Sequence, residues 1–169
     1  LTFEDLATVP AWSDDILSVF QIAGDTSTDI TARVKGGESV GAGNVLVVRI
    51  EKAKESPWFG GWSYVDLLHP GVTEKFLEIT MGAYEKEIGA QFGKRMPGVF
   101  TDEPHLRPGG QLHWTPDLPE QFLKRRGYGL MENLASLSKP VGDWRRVRHD
   151  YYQTLLDLFI ERWAKPYYD

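Results

Sequence analysis

Residues 44–51 read NVLVVRIE, a nearly continuous run of β-branched and apolar side chains. Such a run predicts a strand buried on both faces, the usual pattern of a parallel sheet covered by helices. Apolar residues then recur at helical spacing over residues 70–89, and a second short apolar run, MPGVFT, occupies residues 96–101. Further helices are predicted from about residue 119 and over residues 144–165. This order of strand, helix, strand and helices predicts βαβ units and an α/β fold.

Two such units are too few to close an eight-stranded barrel, which typically takes about 250 residues. We therefore expect a portion of a (β/α)8 TIM-type barrel, with parallel strands alternating with helices, in a fragment of a larger chain that lacks its initiator Met. Residues 44–169 would form the partial barrel. Residues 1–43 would be a less defined segment of short strands and turns that leads into it.

Composition restricts the classes of partner. The 169 residues are 41% hydrophobic and 12% aromatic, which fits a folded globular domain. A net charge of -5 argues against a nucleic-acid-binding surface, and no window reaches the ~18 apolar residues that would cross a membrane. Without cysteine there is neither a disulfide framework nor a thiolate metal site. The location is left open, with secreted or periplasmic slightly favoured over cytoplasmic.

The string GVFTDEP at residues 98–104 brings two acids to the end of the second predicted strand. In α/β barrels the carboxyl ends of the strands carry the active site. Pro104 disfavours helical backbone at Glu103, so Glu103 should continue the strand. A carboxylic acid partly desolvated at such a rim can protonate a leaving oxygen, and glycosidic cleavage pairs it with a second carboxylate. The alternative is that Asp102 and Glu103 are turn acids before the Gly/Pro-rich loop at residues 107–110.

Aromatic residues in the predicted loops favour sugar binding. They follow the first strand at Trp58, Trp62 and Tyr64, and the second at Trp114. Sugars stack their flat C–H faces on such rings while neighbouring polar groups bind their hydroxyls. Any single Trp is more often a core anchor, but several on one predicted rim favour a sugar platform.

Asp66 and His105 are further candidates to orient a substrate or the catalytic acid, although a lone Asp or His is usually a structural group. A metal site would have to combine Asp102, Glu103, His105 and His113. The sequence contains neither an HExxH pair nor an EF-hand loop, so no metal or other cofactor is predicted. Calcium binding through oxygen ligands alone stays open.

Three segments carry a family resemblance: SPWFGGWSYVDLLHPGVTEKFLEITMGAYEKEIGAQFGKRMPGVFTDEP, WTPDLPEQFLKRRGYGLMENL and VRHDYYQTLLDLFIERWAKPYYD. Together they resemble the barrel domain of large bacterial glycoside hydrolases of the α-L-rhamnosidase-like type, over about residues 44–169. The resemblance implies hydrolysis of O-glycosidic bonds in an oligosaccharide or polysaccharide. It also implies that Glu103 is the acid/base, that Asp102 contacts the substrate, and that other domains of a longer chain are partners.

The arrangement is also similar to the β-galactosidase-type barrels of family forty-two, where Asn usually precedes the acid/base Glu and Asp102 stands here. In such enzymes the partner carboxylate comes from a later strand, so the resemblance implies that residues 1–169 alone are inactive. Two other classes stay open. One is a non-catalytic carbohydrate-binding module, and the other is a structural or interaction domain whose aromatic loops are buried against each other or a partner.

Overall fold

The apolar run at residues 44–51 forms an inner strand of a four-stranded sheet. In the computed structural model, which describes residues 1–106 and 111–168, the sheet order is β1-β4-β2-β3. Every pair in it is antiparallel, with Phe3 opposite Val48 and Phe20 opposite Leu46. The strands are β1 (Thr2–Leu6), β2 (Ile16–Ala23), β3 (Thr26–Asp29) and β4 (Asn44–Arg49).

Both faces of β4 are covered. Leu46 and Val48 pack into the larger core cluster on the helical side, whereas Val45 and Val47 pack with Val34 on the opposite side. All four strand residues are essentially inaccessible to solvent. Two-sided burial therefore explains the continuous apolar run, and it does so in an antiparallel sheet.

Helices form the layer on one face of this sheet. Three different helices contribute to one core with Phe20 and Leu46 of the sheet. Their core residues are Leu118 and Phe122 from the first, Leu134 from the second and Tyr151 from the third. The helices are α1 (Thr31–Lys35), α2 (Val72–Ile88), α3 (Leu118–Arg126), α4 (Leu134–Ser138), α5 (Trp144–Phe159) and α6 (Lys165–Tyr168), with a π-helical segment, Ile160–Ala164, between the last two. A small hairpin pairs β5 (Glu55–Ser56) with β6 (Trp62–Ser63).

The helices predicted at residues 70–89, from residue 119 and over residues 144–165 are confirmed as α2, α3 and α5 with its π-helical continuation. α2 differs from the others in its packing, because Phe76, Ile79 and Tyr84 of its apolar stripe are exposed and only Thr73 is buried. The described part of the chain contains no helix with the length and apolar content that a bilayer crossing needs.

The prediction of a (β/α)8 barrel portion is wrong. Residues 96–101 have no regular structure, and Phe100 is 88% exposed. No strand pairs with this segment within residues 1–106 and 111–168, and parallel pairing is confined there to an isolated bridge between Phe92 and Met96. An apolar segment becomes a strand only where a neighbour takes its backbone hydrogen bonds, so no βαβ unit forms. The loop predicted at residues 107–110 lies outside the described residues.

Replacing Leu46 by Ala should lower the free energy of unfolding by about 2 to 5 kcal/mol, because it leaves a cavity between the sheet and the helices. Urea unfolding monitored by far-UV circular dichroism measures the change. Leu123→Ala is the matched control, since Leu123 is a half-exposed leucine of α3 and should cost about 0.5 kcal/mol or less. Equal losses in the two variants would contradict the central position of β4.

Candidate functional site

A cavity of about 460 Å³ opens where three loop segments meet. Residues 50–53 enter it from the end of β4, residues 63–66 from the end of β6, and residues 111–114 from the segment before α3. His69 and His105 complete the polar part of the wall. The cavity therefore combines ring faces, imidazoles and carboxylates from parts of the chain far apart in sequence.

Four of the predicted site residues line this cavity: Tyr64, Asp66, His105 and Trp114. Tyr64 joins two of the walls, because its hydroxyl oxygen accepts a hydrogen bond of 3.0 Å from the backbone N–H of His105. The ring of Phe59 packs edge-on against that of Tyr64, with 5.1 Å between the ring centroids. The turn of the hairpin is thereby packed against the cavity wall.

The other four predicted residues lie outside the lining. Asp102 and Glu103 are exposed in the irregular segment that precedes His105, so the strand end on which the Glu103 prediction relied is not formed. Trp58 and Trp62 lie on the hairpin, and both are exposed. The structure thus brings together one half of the predicted set and leaves the other half around it.

The carboxylate of Asp66 lies against the imidazole of His113 at the cavity wall. Asp66 Oδ1 lies 3.0 Å from His113 Nε2, in a contact that lacks the linear geometry of a hydrogen bond. The same carboxylate oxygen accepts a hydrogen bond of 2.9 Å from the Leu68 N–H. The opposite ring nitrogen, Nδ1, lies 2.8 Å from the Leu106 carbonyl oxygen. His113 therefore joins the loop of Asp66 to the Leu106 backbone through its two ring nitrogens.

The Asp66 carboxyl is held in its ionised form. Burial raises its pKa, but contacts with His113, Thr115 and the Leu68 amide outweigh the burial, and the pKa lies below its ordinary value. An ionised carboxylate can accept hydrogen bonds from hydroxyl groups but cannot donate a proton to a leaving group. Asp66 therefore suits a role in binding or orientation.

Arg162 holds one of the cavity loops in place through hydrogen bonds. Its guanidinium donates hydrogen bonds to the Leu68 carbonyl oxygen at 2.6 Å and to both carboxylate oxygens of Asp117 at 2.9 and 2.5 Å. Arg162 belongs to the π-helical segment, and such segments redirect side chains relative to an α-helix. The loop that carries Asp66 is in this way fixed to the start of α3.

His113 and Arg162 are the residues that sequence reasoning missed. From the sequence, His113 is one of several possible orienting groups or metal ligands and is not selected as a site residue. The residues that the structure describes contain no group of three or more His, Asp or Glu side chains placed to hold a metal ion. Neither pairing has a local sequence signal, because Asp66 and Leu68 meet their partners only across the fold. The sequence feature that could have pointed to these two residues is the aromatic residues next to them in the chain.

The pairing of Asp66 with His113 should be measurable as a coupling energy. In a double-mutant cycle with Asp66→Asn and His113→Gln, the losses of unfolding free energy should be non-additive by about 0.5 to 3 kcal/mol, since either change removes the same contact. Urea unfolding of the four proteins gives this value. The exposed Arg33–Glu38 pair is the matched control and should couple close to zero. Additive losses at Asp66 and His113 would contradict the pairing.

Asp117 should make stability depend on pH in acid. The hydrogen bonds from Arg162 hold the pKa of Asp117 below its ordinary value. The carboxylate therefore stabilises the folded state above about pH 4, and this contribution is lost as the pH falls through the folded-state pKa. The stability difference between wild type and Asp117→Asn, measured by urea unfolding from pH 7 to pH 2, should shrink with acid. A difference that stays constant over this range would contradict the assignment.

The sequence matches a known enzyme family over residues 59–169, well over half of the chain. The matched region contains the cavity loops from Phe59 onward and helices α2 to α6, but not the four-stranded sheet. Searches of curated proteins and of solved structures find no match. The family is described as alpha-L-rhamnosidase. The chain therefore belongs to glycoside hydrolase family 106, the alpha-L-rhamnosidase family.

Proposed function

We propose that this chain supplies the sugar-binding cavity and the acid/base carboxylate of an enzyme that hydrolyses α-L-rhamnosidic bonds. The observation that carries the proposal is the cavity itself, whose lining residues Tyr64, Asp66, His105 and Trp114 lie in the region matched to the family. Family membership supports glycosidase chemistry, and the cavity supports the binding of a sugar ring.

The cavity suits a sugar in size and chemistry. Its volume of about 460 Å³ falls within the range of small-molecule sites. Trp114 and Tyr64 offer ring surfaces to the C–H face of a pyranose, while the Asp66 carboxylate and the imidazole of His105 face the same space and can bind hydroxyls. A purely apolar ligand would desolvate the ionised Asp66 carboxylate without adding a hydrogen bond to it.

Glu103 is our candidate for the general acid that protonates the leaving oxygen. It lies two residues before His105, which lines the cavity, and Pro104 disfavours a helical turn at Glu103. Asp102 is the candidate for a neighbouring hydroxyl contact. Because Asp66 is ionised and paired with His113, it is the weaker candidate for proton donation. Hydrolysis further requires a second carboxylate to activate water or attack the sugar.

A non-catalytic carbohydrate-binding module is the second candidate. The observation that favours it is that neither Asp102 nor Glu103 lines the cavity, so the cavity can hold a sugar without either predicted catalytic acid at its wall. This alternative predicts that Glu103→Gln leaves sugar binding intact and that no form of the protein shows hydrolysis that depends on Glu103.

The Glu103→Gln variant of the full-length protein tests the proposal. On aryl α-L-rhamnosides, kcat should fall by about 100-fold or more for a poorly activated leaving group, because the proton donor is lost. The loss should be much smaller for a dinitrophenyl leaving group, which departs without protonation. Steady-state kinetics over a series of leaving groups, with an aryl β-galactoside for comparison, measures this dependence.

Glu87→Gln serves as the matched control, because Glu87 is an exposed carboxylate of α2 outside the cavity. It should leave kcat unchanged for every leaving group. A Glu103→Gln variant that cleaves as well as wild type would show that Glu103 is structural. A wild-type protein that binds L-rhamnose without cleaving any substrate would favour the binding module.

A further inference from the structure

The β5–β6 hairpin displays two tryptophans to solvent. Trp58 is 89% exposed and Trp62 is 75% exposed. Tryptophan is highly buried on average, and large exposed apolar groups rimmed by polar residues are typical of binding surfaces. Two such rings on one short hairpin therefore require an explanation beyond packing within the described residues.

The hairpin holds these rings in a defined geometry. Ser56 pairs with Trp62 across the two strands, and the Ser56 hydroxyl accepts a hydrogen bond of 3.2 Å from the Trp58 N–H. Gly60 and Gly61 have positive φ angles of 65° and 87°, which glycine adopts without strain and which close the turn. A Cβ at Gly60 would lie 3.9 Å from Trp62 Cδ1, so the indole lies beside this turn.

The hairpin is continuous with the cavity. Ser63 and Tyr64, which follow Trp62 directly, both line the cavity. The edge-on contact of Phe59 with Tyr64 fixes the turn to the cavity wall. A chain molecule that has one unit in the cavity would therefore reach the hairpin by extending past Tyr64 and Ser63.

A hydroxyl group lies beside one of the exposed rings. Ser56 pairs directly with Trp62, and directly paired residues share a face of the hairpin, whereas the neighbouring pair of Glu55 and Ser63 points to the other face. A hydroxyl next to an open indole matches the combination of hydroxyls and C–H faces on a sugar.

We propose that Trp62 and Trp58 form a second sugar-stacking surface, which binds the part of a glycan that extends beyond the residue held in the cavity. The substrate is then an oligosaccharide or polysaccharide, and the two indoles select for it over a single sugar on a small leaving group. This inference rests on the proposed function of the cavity.

Two substrates separate the hairpin from the cavity in the full-length protein: an aryl α-L-rhamnoside and a rhamnose-terminated oligosaccharide of several sugars. For Trp62→Ala, KM on the oligosaccharide should rise about threefold to tenfold, because one stacking contact is lost. The kinetic constants for the aryl rhamnoside should not change. Trp58→Ala should act in the same direction, and Trp62→Phe should retain most of the affinity.

Tyr168→Ala is the matched control, since Tyr168 is an aromatic residue of α6 that is 92% exposed, and it should affect neither substrate. The inference is overturned if Trp62→Ala raises KM equally for both substrates, or for neither. The inference also fails if Trp62→Ala alters the unfolding midpoint or the oligomeric state while the oligosaccharide KM is unchanged, because the hairpin then docks protein.

A fluorescence titration separates failure of the inference from failure of the proposed function. Addition of the oligosaccharide should change the indole emission of the wild type, and this change should be smaller in Trp62→Ala and in Trp58→Ala, where Trp114 and the remaining hairpin indole still respond. If the wild type cleaves neither substrate, the proposed function fails, and the titration alone still decides whether the hairpin binds glycan. An emission change as large in both variants as in the wild type overturns the inference.

Discussion

Burial of β4 on both faces is the constraint on which the rest of the structure depends. Leu46 and Val48 must meet the helical layer while Val45 and Val47 meet α1 and the loops around it. The flanking strands β1 and β2 satisfy the backbone hydrogen bonds of β4 on its two edges. The sheet therefore anchors α3, α4 and α5, and through them the segments that form the cavity.

The cavity is placed by this core but kept in shape by polar contacts. Residues 50–53 leave the buried end of β4, and Leu68 is itself part of the core. Next to Leu68, Asp66 pairs with His113, and Arg162 joins the Leu68 carbonyl to Asp117. The first contact joins two loops, and the second joins a loop to the π-helical segment and to the start of α3, so together they hold the cavity walls in a definite arrangement.

Local sequence pattern and tertiary packing disagree at two places, the apolar stripe of α2 and the segment at residues 96–101. α2 forms because its sequence has helical propensity and spacing, yet Phe76 and Ile79 remain exposed. Residues 96–101 have the composition of a strand but no neighbour within the described residues to pair with. A helix satisfies its own hydrogen bonds, whereas a strand depends on another segment, so helical predictions are the more secure.

The sequence by itself determined the positions of the long helices, the burial of residues 44–51 and the aromatic character of the loops around the cavity, because each follows from local periodicity or composition. It also carried the family resemblance that the match over residues 59–169 supports. Only the tertiary structure decided that the sheet is antiparallel, that Asp66 meets His113, and that Trp114 and Tyr64 share a cavity while Trp62 stays outside. Strand direction and contacts between distant residues are set by which surfaces pack together, and no short stretch of sequence encodes them.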